Sequence, residues 1–176
     1  MDVLKVNNEI YLNQIEDKDA HDLMNFIGDK DVQQGLLAVP CPYLLSDAIN
    51  WIRHVQNEKE ENGNKLVNWA IRNSSGKLIG GIGLHLNNIQ PHRDEFGYWL
   101  AKDFWGQGIM SSVIPIFRDY VLKEFNLIRL EAPVYDDNIG SQKVLERNGF
   151  KFEGVLEKAY CKNGEYKDAK MYAFVV

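Results

Sequence analysis

Residues Glu95 to Ser112 read EFGYWLAKDFWGQGIMSS, and three kinds of local order follow one another inside these eighteen positions. Glu95 to Leu100 (EFGYWL) is short and rich in aromatic residues, which predicts a strand. From about Gly108 to Lys123 the period becomes helical, with Ile109, Val113, Ile116, Phe117 and Tyr120 predicted to face inward. Gly106 and Gly108 flank a single residue between the two elements. Pro115 lies inside the helical stretch, where it removes one backbone donor and is expected to bend the helix. Ile128 to Val134 then reads as a second strand. Strand, glycine turn, helix and strand make a β-α-β crossover, the one place where this chain predicts parallel pairing.

Working outward, the flanks read as hairpins. Leu66 to Ile71 and Lys77 to Leu86 (KLIGGIGLHL) are strands joined by a turn at Ser74-Ser75-Gly76. Phe150 to Tyr160 and Glu165 to Val175 close on Asn163-Gly164, the dipeptide favoured in type I′ turns. Glu9 to Leu12 predicts a short first strand. Asp17 to Ile27 predicts a helix, and a second helix is expected with Ser46 as its cap and Ile49, Ile52 and Val55 on its apolar face. Val39 to Tyr43, with two prolines, is a loop. Asn138 to Asn148 is a short helix ended by Gly149. The order β-α-α-β-β-β-α-β-α-β-β predicts an α/β (α+β) architecture: a mixed, mainly antiparallel sheet of about seven strands with helices on both faces, in one domain over residues 1–176.

Bulk properties restrict the function. The net charge of −5 argues against a general nucleic-acid binder; it suits a cationic partner such as an amine, and equally the mild acidity of most soluble proteins. Cys41 and Cys161 are far apart without CxxC spacing, which argues against a zinc site or a disulfide framework; two reduced thiols and no metal are expected, with a single disulfide as the alternative. The first ten residues lack the basic start and apolar run of a signal peptide, so the cytoplasm is the expected compartment. A monomer or homodimer is expected, with no nucleic acid and no membrane as partner.

The segment FWGQGIMSS carries the chemistry. Glycines at a helix start let the backbone approach an anion, and the helix's first-turn amides and dipole bind phosphate. A Walker A loop fails, because Ile109 follows Gly108 where a lysine is needed. The dinucleotide fingerprint is only approximated by Gly106, Gly108 and Ser111, in an antiparallel setting. The third pattern, Gln/Arg-x-x-Gly-x-Gly/Ala, has Trp105 in place of Gln/Arg and Met110 in place of the small residue. Downstream, Asn138 to Phe150 reads NIGSQKVLERNGF.

Together these segments resemble the acyl-CoA loop and the N-x-x-S-x-x-x-L-x-x-x-G-F signature of the GNAT acetyltransferases. With GVLEKAYCKNGEYKD they resemble its Rim-type branch, known for acetylating N-terminal amines of ribosomal proteins. The resemblance covers the chain from about Glu9 onward and is most specific over Asp94 to Asp168. It implies acetyl-CoA (coenzyme A) as cofactor, an amine acceptor, and a sheet splayed at its fourth and fifth strands, Glu95 to Leu100 and Ile128 to Val134. It implies that Tyr98, Trp99 and Leu100 pair with the pantetheine arm, and that amides of Gly106, Gln107, Gly108, Ile109, Met110 and Ser111 hold the pyrophosphate. Asn138 matches a side chain that contacts the cofactor; it is also placed to cap a helix. Ser141 matches the position that contacts the sulfur, and Leu145 stands where many members carry a tyrosine. Leu100 is the candidate amide for the developing oxyanion. Glu95 is the carboxylate best placed as general base, and a solvated or ion-paired role fits it as well. Strand alternation puts Glu95, Gly97 and Trp99 on one face. His85, Asp94 and Tyr135 are weaker candidates. Acceptor loops are expected from Gly28 to Leu45, Asn87 to Arg93 and the closing hairpin. A non-catalytic acyl-CoA-binding module is the alternative.

Overall fold

The computed structural model describes residues 3–37, 39–86 and 91–176. Strands are β1 Leu4–Lys5, β2 Ile10–Asn13, β3 Asn68–Asn73, β4 Leu78–Leu84, β5 Arg93–Leu100, β6 Arg129–Tyr135, β7 Lys151–Lys162 and β8 Glu165–Val175. Helices are α1 Ala20–Ile27, α2 Lys30–Gln34, α3 Leu45–Glu61, α4 Ile109–Glu124 and α5 Ile139–Arg147. The strand order is β1-β2-β3-β4-β5-β6-β8-β7, and among the pairings described only β5 with β6 is parallel. The mixed, mainly antiparallel sheet is therefore as expected, with eight strands in place of about seven. The extra one, β1, is a two-residue strand too short to carry a periodic signal.

Two compact units form. One takes Met1–Gly83 with Tyr98–Ile109, the other Leu84–Gly97 with Met110–Val176. In the first, α1 and α3 bury Leu23, Ile27, Ala48, Ile52 and Val55 with Ala70 of β3 and Leu78 of β4. An ion pair lies inside this unit: the two terminal guanidinium nitrogens of Arg72 on β3 donate to the Asp19 carboxylate, at 2.9 and 2.7 Å. In the second, Phe96 of β5 stacks near Phe117 of α4 and Phe150, at 5.9 and 5.4 Å between ring centroids. The closing hairpin forms at Asn163-Gly164, where both residues hold the positive φ (52° and 82°) that the turn type requires.

Three local readings are corrected. Ser46 does not cap α3; the helix starts at Leu45, and Asp47 accepts the Leu44 amide at 2.8 Å, because a carboxylate at that place both bonds the amide and opposes the helix dipole. Within Gly28 to Leu45, read as loop, α2 forms because Asp29 accepts the amides of Asp31 and Val32. The buried stripe of α4 is Met110, Val113, Ile114, Phe117 and Val121; Ile109, Ile116 and Tyr120 are only half-buried. Two adjacent apolar stripes that share Val113 and Phe117 run along this helix, and burial of Met110, Ile114 and Val121 selects one of them.

Candidate active site

The parallel ladder between β5 and β6 runs from Arg93/Arg129 to Glu95/Glu131 and ends there. Tyr98, Trp99 and Leu100 follow on β5 beyond that point. Tyr98 and Trp99 are half-buried and Leu100 is buried. Trp99 packs toward the α1–α3 core, with Phe26 at 6.5 Å. The Leu100 carbonyl accepts a 2.7 Å bond from the Trp105 indole N–H, so Trp105, which departs from the family pattern, ties the loop back to the strand end.

In the loop itself Gly106 and Gly108 both hold positive φ, 74° and 75°, a conformation that L side chains adopt at a cost. A Cβ at either position would meet no atom within 4 Å, so the glycines serve the backbone conformation and leave open space in front of it. Gln107 is exposed and donates its amide to the Asp103 carbonyl at 2.9 Å. Ile109 opens α4. Met110 is buried in the α4 stripe, so its bulk lies in the packing of the helix. Ser111 is half-buried in the first turn.

At α5, the Asn138 side chain accepts the Ser141 amide at 3.1 Å and caps the helix. Ser141 is half-buried on the first turn. Sequence reasoning missed Gln142: it is buried, donates to the carbonyls of Tyr135 (3.3 Å) and Asp136 (2.9 Å), and so fixes the start of α5 to the end of β6. Leu145 is fully buried, which makes the position a packing site in this chain.

Glu95 lies 3.0 Å from His85 through Oε1 and Nδ1, within hydrogen-bond distance. Glu95 and Gly97 share one face of β5, as strand alternation predicts, since a Cβ at Gly97 would also meet His85, while Phe96 packs against Phe150. Asp94 is buried and accepts the Glu95 amide at 2.7 Å. Tyr135 is fully buried, edge-on to Tyr160 at 6.0 Å. Burial, with the negative charge of Glu95 second, pushes the Tyr160 phenol up to about 12. Tyr160 was also missed; it sits in an exposed strand whose pattern gives no signal for one half-buried side chain. Cys41 and Cys161 are exposed and unbonded. Of the expected acceptor loops, residues 38 and 87–90 lie outside the described residues. No described helix is long and apolar enough to cross a membrane.

An acetyltransferase (GNAT) domain matches residues 9–151. The chain is 30% identical to the uncharacterized N-acetyltransferase YoaA of Bacillus subtilis (strain 168), over 96% of this chain and 94% of that one. It is likewise 30% identical to the ribosomal-protein-serine acetyltransferase of Escherichia coli (strain K12), over 75% of this chain and 79% of that one. Among solved structures, the microcin C7 self immunity acetyltransferase MccE, in complex with acetyl-CoA and AMP, superposes with a TM-score of 0.84 at 26% identity, covering 98% and 95% of the two chains. RimL, a ribosomal L7/L12 alpha-N-protein acetyltransferase in complex with coenzyme A, has a TM-score of 0.85 at 23% identity, covering 99% and 98%, a likeness of fold.

Proposed function

The chain belongs to the GNAT acetyltransferases, and on that premise we propose that it moves an acetyl group from acetyl-CoA to a primary amine by direct transfer in a ternary complex. The observation that carries this reading is the loop at Gly106 and Gly108, where positive φ and open space let an anion reach the backbone just before α4 begins. A protein N-terminal amine heads the acceptors, by similarity to the ribosomal-protein-serine acetyltransferase, with small amines next. A cytoplasmic location goes with such an acceptor in this reading.

In this reading Gly106, Gln107, Gly108, Ile109, Met110 and Ser111 hold the pyrophosphate through backbone amides, and Tyr98, Trp99 and Leu100 pair with the pantetheine arm. Asn138 contacts the cofactor while capping α5. Bound acetyl-CoA supplies an activated thioester. The Leu100 amide donates to the carbonyl oxygen as negative charge builds there. The Trp105 indole restrains that residue through its carbonyl. Ser141 donates a hydrogen bond to the departing sulfur, and Glu95 serves removal of the proton from the amine.

Calorimetry with acetyl-CoA and thiol release in a panel of peptide and small amines test the assignment. Absence of binding would remove it; binding without thiol release for every acceptor would leave an acyl-CoA-binding module. Ser141→Ala should keep cofactor affinity and lower kcat about a hundred- to a thousandfold, the range for one hydrogen-bond donor at a reacting atom. Equal kcat in the variant would take Ser141 out of the mechanism.

A further inference from the structure

We propose that the proton acceptor is the His85–Glu95 pair, with the imidazole of His85 taking the proton and Glu95 positioning it. This rests on the acetyl-transfer reading. His85 directly follows β4, and its backbone N–H donates to the Glu95 carbonyl at 2.8 Å, which fixes the two residues side by side. The side chains meet at Nδ1 and Oε1, 3.0 Å apart. The opposite ring nitrogen lies over Gly97, where a Cβ would come within 3.0 Å of Nε2. The carboxylate and the missing side chain at Gly97 thus set the ring from two sides. A carboxylate on Nδ1 favours the tautomer protonated there and leaves the Nε2 lone pair as the base. His85 is also the more accessible partner, 44% exposed against 21% for Glu95.

Base strength points the same way. Imidazole is intrinsically a stronger base than a carboxylate, so taking a proton from an ammonium is less uphill for it. The ammonium has two protons to lose. One goes to Nε2, giving an imidazolium held by the Glu95 carboxylate. The nitrogen lone pair then forms the amide bond as the C–S bond breaks. The second proton ends on the departing sulfur, and the imidazolium returns its own to water. Tyr160 of β7, kept neutral by burial and by Glu95, stays outside the working pH range. Glu131, the β6 neighbour of Glu95, is bound by Arg93 and Arg129.

The test is thiol release as a function of pH with two acceptors, an alkyl α-amine and an aniline-type amine that is neutral at the assay pH. For His85→Asn, kcat/KM with the alkyl amine should fall about a hundredfold at neutral pH, the low end for general base catalysis, and its near-neutral inflection should vanish. With the aniline-type amine the loss should stay within about threefold, because no base is needed before attack. Glu95→Gln should give a smaller loss with the same acceptor dependence and a displaced inflection. Gly97→Ala, which crowds Nε2 and touches neither partner's chemistry, should reproduce the His85→Asn pattern. Wild-type rates in His85→Asn, equal losses on both acceptors, or an unchanged inflection would overturn the pair as base and leave acetyl transfer standing. A wild-type protein that binds acetyl-CoA and acetylates neither amine would remove the transfer reading and this inference with it.

Discussion

Gly108→Trp should weaken acetyl-CoA binding about a thousandfold, measured by calorimetry, while the protein stays folded. Two effects combine. At φ of 75° a side chain costs roughly 1–2 kcal/mol, and the backbone relieves this by turning its amides away from the loop geometry. The indole then fills the open space in front of Gly108, where a Cβ meets nothing within 4 Å. Charge-assisted hydrogen bonds are worth about 1.5–3 kcal/mol each, so losing two removes roughly two to four powers of ten in affinity. Gly108→Ala separates the causes, since it carries the strain with little of the bulk; it should fall between wild type and Gly108→Trp. Unchanged affinity in Gly108→Trp would move the pyrophosphate site off this loop.

Asp19→Ala should destabilise the fold by about 3–5 kcal/mol, seen as a large drop in the denaturant midpoint. The Arg72 and Asp19 side chains are 2% and 3% exposed. Arg72 also donates to Asn13 Oδ1 at 2.6 Å and to the Gln14 carbonyl at 3.2 Å, yet these neutral acceptors do not balance a buried charge. Asp19 further accepts the Glu16 amide at 2.8 Å, so the turn that leads into α1 loses its cap in the same change. The pair Asp19→Leu with Arg72→Met should recover much of the loss, because matched apolar replacement removes both the charge and its partner. If the double variant is no more stable than Asp19→Ala, the cap at Glu16 outweighs the buried charge.

The GNAT family was legible from two short segments, because glycine spacing and the Asn138–Ser141 pattern are local features that need no partner to be read. The β5–α4–β6 crossover and both hairpins follow from period and turn chemistry for the same reason, and Asn163-Gly164 forms the expected positive-φ turn. The helix caps were harder. Ser46 is a good cap by residue type, yet the helix starts one residue before it, with Leu44 at the cap position and Asp47 bonding back to the Leu44 amide. The inward stripe of α4 was ambiguous because apolar residues occupy two neighbouring stripes that share Val113 and Phe117, and only the tertiary packing that buries Met110, Ile114 and Val121 distinguishes them.

Side-chain pairings across strands mark the boundary. Glycines at 106 and 108, a strand before them and a helix after them are written in consecutive residues, so the sequence by itself determined where an anion could meet backbone. That His85 faces Glu95, that Gly97 leaves room for the ring, and that Tyr160 comes near the same carboxylate are decided by strand register, with partners 10 and 65 positions from Glu95. Register is set by which residues the whole core buries, a property no short window contains. The same holds for Arg72 and Asp19, separated by 53 positions, whose charges are tolerable only because folding brings them into contact.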